Sequence, residues 1–280
     1  MKSELKKVIF NKYFICSLAF GVIIVLIHSY SAVINYYKIK QELINAARND
    51  INPLIPTISS FTSWIGMDAR SQCSRLFFVL MPFLSLVSYC PDKKLKTNRI
   101  RNIKHLKIKY YAVFISSGFT VTIPLLLDFF MISLFIPAIF PDSVYDIYYG
   151  MFSNDFMADA FYTMPYLYVF VFVVLNFIFC GLFGCVGYSL LTLLKNKFIS
   201  IFTPIIIISF VEFISKKIIS DNANQRNNFS PLTFLFPVKS VSTNWKIVIA
   251  EILLLFIISF YCSVLRLNKK YLYKYNDEEK

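Results

Sequence analysis

The chain has 280 residues, of which 57% are hydrophobic and only 16% charged, against about 25% charged in a typical soluble domain, so a water-soluble globular class is excluded. A formal charge of +13 would point to nucleic acid in a soluble protein; here the cations are read as loop charges facing anionic lipid head groups or a partner, and no nucleic acid is expected. The remaining class is an all-α polytopic membrane protein, with residues 1–280 forming one transmembrane domain.

In chain order, Met1 to Lys12 is basic, with Leu5, Val8, Ile9 and Phe10 set among lysines as in a short amphipathic surface helix. The first span is predicted over 13–34. A signal peptide also joins positive charge to an apolar run, but its apolar region is only about 7–15 residues, so an uncleaved first helix is the better reading. Residues 35–75 are expected outside. Tyr36 to Asn49 is rich in helix formers and is able to prolong the first helix, until Asn52-Pro53 and Ile55-Pro56 break it. Phe61 to Ile65, with Trp64, reads as an interfacial aromatic anchor. The second span is predicted over 76–90, short and kinked at Pro82.

The loop from Asp92 to Lys109 sets eight cations against one acid. Short loops rich in Lys and Arg stay in the cytoplasm, so this loop orients the whole chain. Within it Ile100, Ile103 and Leu106 fall three apart, on one helical face, among Arg99, Arg101, Lys104 and Lys107. A solvated basic loop facing lipid explains the charges alone; the apolar spacing adds a candidate docking helix. The third span is predicted over 110–137, interrupted by Gly118 and Pro124, with Asp128 about midway along it.

The fourth span is predicted over 164–194, the fifth over 198–215 and the sixth over 247–265. The tally gives six spans with both termini cytoplasmic. Segments then assigned to the inside carry 19 Lys and Arg and those outside carry 9, the sign required by the positive-inside rule.

No catalytic constellation is legible. The two histidines, His28 and His105, belong to no HExxH motif, and GxSxG is absent. The six cysteines form no CxxC pair, so no metal site is expected. GxxxxGK[ST] is also absent, so any ATP-driven work needs a separate ATPase subunit. Asp128, Glu212 and Glu251 lie in apolar spans, where carboxylates are costly and are functional candidates by default. For Asp128 a neutral or paired packing role stands beside ion coupling. Glu212 and Glu251 are expected to pair locally with Lys216 and Lys246.

Several short runs resemble the permease subunits of bacterial ABC-2 type exporters. They are Ser60-Phe61 with Trp64-Ile65-Gly66, Phe77 to Leu86 centred on Pro82, Tyr110-Tyr111, Ser116-Ser117-Gly118, Pro124 to Leu127, Pro165-Tyr166, and Asn196-Lys197-Phe198 with Pro204. The resemblance covers about residues 60 to 215. It implies a multi-pass permease of the bacterial cell membrane, paired with a second copy or a sister permease. It also implies a nucleotide-binding ATPase subunit, carrying the ATP, docked on the 91–109 loop. Such permeases carry Asn where this chain has Asp128, so the resemblance assigns that residue no role. Two other classes remain open: an ion-coupled secondary transporter relying on Asp128, and a non-transporting membrane scaffold or intramembrane enzyme.

Overall fold

The computed structural model describes residues 6, 11–49, 60–64, 103–136, 156–194, 197–221, 229–231, 235 and 244–265. These residues form helices and their connections, with no strand among them. In chain order the helices are α1 (Lys12–Asn49), α2 (Ser60–Trp64), α3 (Ile103–Phe135), α4 (Ala158–Thr163), α5 (Pro165–Leu194), α6 (Lys197–Asp221) and α7 (Trp245–Phe260), which runs into a π-helical turn, Tyr261–Leu265. Among the described residues four helices are long and apolar enough to cross a membrane: Lys12–Glu42, Leu106–Phe135, Pro165–Leu191 and Trp245–Val264.

These four correspond to the first, third, fourth and sixth predicted spans. The second, 76–90, lies outside the described residues. The fifth falls in α6, whose apolar part is Ile205–Ser215, about half of what a crossing needs. α1 does continue through Tyr36 to Asn49. At 38 residues it is about 57 Å long, well beyond the ~30 Å hydrocarbon layer.

Local chemistry sets the helix ends. Pro165 opens α5, where its missing N–H costs no helical bond. The Asn244 side chain accepts from Lys246 N at 3.1 Å and caps α7. Within α3 the hydroxyls bond back to the helix's own carbonyls: Ser116 to Val113, Thr120 to Ser117 and Thr122 to Gly118. A polar side chain is thereby satisfied inside an apolar helix.

The seam of α3 with α5 is the centre of the bundle. Cys185 Sγ lies 3.7 Å from Tyr110 O. A Cβ on Gly181 would meet the Phe114 ring and carbonyl at 2.8–2.9 Å, and one on Gly118 would meet the Phe177 ring at 2.5 Å. The pairs 110 with 185, 114 with 181 and 118 with 177 move in opposite directions, so the two helices are antiparallel. Glycine is needed at both positions because a neighbouring helix fills the space of the side chain. α7 runs parallel to α5, joined by Ser189 and Ser259 toward one end and by Phe179 with Val248 further along. α6 folds back on α5 and brings Ile208 against Phe183 and Phe179.

α1 lies on the other flank of α3. His28 stands level with Asp128, and the buried α1 residues run back to Phe14. If the helices were antiparallel, Phe14 would stand fourteen residues past Asp128, beyond the end of α3. The buried face of α1 therefore runs in the same direction as α3.

Candidate functional site

Where α1, α2 and α3 meet, two ionisable side chains are buried together. His28 comes from α1 and Asp128 from α3, and each is 1% exposed. His28 Nδ1 lies 2.6 Å from Asp128 Oδ2, a buried ion pair between two helices. Around it pack Val25, Ala32, Leu125 and Ile132, with Phe161, Tyr168 and Phe172 from α4 and α5 in the same apolar cluster. Asp128 Oδ1 is buried and has no hydrogen-bond partner among the described residues. A net charge in such surroundings is held only by a close counter-charge or by a proton.

Trp64 of α2 closes one side of this cluster. Its Nε1–H donates to Leu125 O at 2.9 Å, and its ring meets Phe129 and Phe172 edge-to-face at 5.1 and 5.5 Å. The sequence reading of Trp64 as an interfacial anchor is corrected: the indole is 1% exposed and packs inside the bundle. Its apolar body and single donor are both answered there, which leaves nothing for an interface.

Asp128 lies seven residues before the end of α3 at Phe135, nearer that end than the midpoint of the span. The seam register places it level with the start of α5. His28 was not singled out as its partner in the sequence. The signal available there was a histidine inside an apolar run, the same kind of mark as Asp128 itself.

A second polar cluster sits at the opposite end of the seam. Ser259 Oγ donates to Phe256 O at 3.2 Å, so its oxygen takes the Tyr110 hydroxyl proton at 2.8 Å. Ser259 O accepts from Ser263 Oγ at 2.6 Å and lies 3.0 Å from Ser189 Oγ.

Four of the candidate docking residues, Ile103, Lys104, Leu106 and Lys107, lie together at the start of α3. Arg99, Ile100 and Arg101 lie outside the described residues. Ile103 and Lys104 form the first turn of α3, continuous with the span. Leu106 is 2% exposed and packs with Tyr110, Val113, Cys185, Tyr188 and Val264, so it faces its own bundle rather than a partner. Lys107 is exposed. The expected pairing of Glu251 with Lys246 is not formed: Lys246 is exposed, and Glu251 Oε2 is buried with no hydrogen-bond partner among the described residues. A separation of five residues turns the two side chains about 140° apart around the helix. The Lys216 side chain lies outside the described residues, so the Glu212 pairing does too. Among the described residues no three metal-ligating side chains come together.

All-helical in its described part, with four helices able to cross a bilayer, the chain is a helical membrane protein. Comparison with protein-family models, with curated proteins and with solved structures finds no match.

Proposed function

We propose that this chain is the membrane-spanning permease subunit of an ATP-driven exporter of the ABC-2 type, working with a separate ATPase in a bacterial cell membrane. The observation that carries the reading is the continuity of α3. The last residues of the basic segment, from Ile103 onward, belong to the same rigid helix as the central span. A partner that moves this basic end moves the helix that packs on both α1 and α5. A basic, helical cytoplasmic projection is a fitting contact for an acidic partner groove.

The helix directions support the six-span plan. α1 and α3 begin at the same end of the bundle, so one further crossing between Trp64 and Ile103 is needed, and the apolar run Leu76 to Cys90 is the segment in the sequence able to supply it. Both ends of the chain then share the side of the basic loop, which the charge bias makes cytoplasmic.

The test uses Lys104→Glu with Lys107→Glu, because Leu106 is part of the bundle core and its replacement would disturb folding. The double variant should insert normally yet lose co-purification with the P-loop ATPase that the unaltered chain retains, and lose stimulation of that enzyme's ATP hydrolysis. A variant that still binds and stimulates the ATPase rejects the docking role.

A further inference from the structure

We infer that His28 and Asp128 form an intramembrane proton-binding site, and that its proton holds α1 against α3. The inference does not depend on the exporter reading. It rests on geometry. The two groups lie 2.6 Å apart, each is 1% exposed, and they come from different spans one hundred residues apart in sequence. Among the described residues no other Asp or Glu, and no Lys or Arg, is fully buried; Glu251 on α7 is half-buried, with one carboxylate oxygen out of solvent. The apolar cluster around the pair also contains tyrosine hydroxyls, of Tyr36 from α1, Tyr162 from α4 and Tyr168 from α5. α2 contributes Ser60, Ser63 and Trp64, none of which ionises.

The proton count follows from charge. With one proton the pair is imidazolium and carboxylate, or imidazole and carboxylic acid; either way its net charge is zero. Without that proton it is imidazole and carboxylate, one negative charge inside an apolar cluster. An uncompensated charge there is strongly unfavourable, whereas the same charge in water is not. The closed α1–α3 contact therefore retains the proton, and its loss favours parting the helices so that Asp128 meets water. Uptake is the addition of one water-borne proton to the pair, with no other bond made or broken. Asn35 marks the side of exchange. It follows His28 by seven residues on nearly the same face of α1, toward the end where α5 begins. Its Nδ2 is buried with no hydrogen-bond partner among the described residues, a polar station between the pair and that end.

Two measurements on the full-length protein in lipid nanodiscs decide the matter. The chain has two histidines, so His105→Asn leaves His28 as the single imidazole signal in a ¹⁵N-histidine spectrum. Infrared difference spectra against Asp128→Asn report a protonated carboxyl. At about pH 8, where an ordinary histidine (about 6.5) and aspartate (about 3.9) are both deprotonated, one of these two signatures should persist. A neutral imidazole beside an ionised carboxylate at that pH overturns the proton site. Spin labels at exposed Tyr30 and Leu134 then follow the helices. Their separation should lengthen as the pH is raised through loss of the proton, and should not respond in His28→Leu/Asp128→Leu. A wild-type separation that stays constant while the proton leaves overturns the coupling to helix contact.

Discussion

The Tyr110–Ser259–Ser189 cluster and the His28–Asp128 pair both bury polar groups against α3, toward opposite ends, yet they differ in what answers each group. In the first, every hydroxyl proton has a neutral acceptor nearby, and the carbonyl of Ser259 receives hydroxyls as the helix widens into its π-helical turn. Nothing in it carries charge, so it packs alike across the physiological pH range. In the second, one ionisable group faces another, and Asp128 has a carboxylate oxygen with no partner among the described residues. Neutral networks of this kind rigidify a bundle, whereas an ionic pair makes one contact conditional on a proton.

The sharpest way to break the contrast is to remove one member of the pair. At about pH 8 His28→Leu leaves the Asp128 carboxyl either charged without a partner or obliged to take up a scarce proton, and it is expected to destabilise the protein by about 3–5 kcal/mol, and by less as the pH falls. Asp128→Leu should cost less, because an imidazole left alone is able to stay neutral. The double variant, with both charges gone, should recover most of the loss. Thermal unfolding in detergent orders the three, and a double variant as unstable as His28→Leu would show that the two residues do not act together.

Gly181→Val tests the seam that both regions share. The new side chain meets a carbonyl of α3, the Phe114 backbone, which has little room to give. A cost of about 1–3 kcal/mol is expected, read as a lower unfolding temperature and as loosening of both clusters.

Tyr110→Phe removes one neutral hydrogen bond and leaves Ser259 bonded to Phe256 O. It should cost about 0.5–1.5 kcal/mol, and equally at pH 6 and pH 8. A strong pH dependence would erase the distinction between the regions. At the lower limit, Ser133 is on the surface of α3 and bonds only its own helix, so Ser133→Ala should change stability by less than about 0.5 kcal/mol.

The spans were legible because hydrophobic length is a local property. The run from Met164 to Leu194 reads as a crossing and forms α5 from Pro165, and Tyr36 to Asn49 extends α1 as its helix formers suggest. The site was legible only in halves. Asp128 stands out as a carboxylate among Leu and Phe, but its distance from His28 in sequence gives no spacing to read. Trp64, read from its ring as an anchor, and Leu106, read from its spacing as part of a docking face, both pack inside the bundle: residue type and spacing show that a side chain seeks a partner, without showing which neighbour it meets.

By itself the sequence determined that this chain is helical and belongs in a membrane, since about 20 consecutive apolar residues in several runs allow little else. It also determined which end of the hairpin around residues 91–109 bears the positive charge. The tertiary structure alone decided that α3 and α5 close on two glycines, that Trp64 is interior, and that the carboxylate on α3 meets the imidazole on α1. Those outcomes depend on which helices become neighbours and at what register. Both follow from side-chain packing summed over whole helices, and no local stretch of residues carries them.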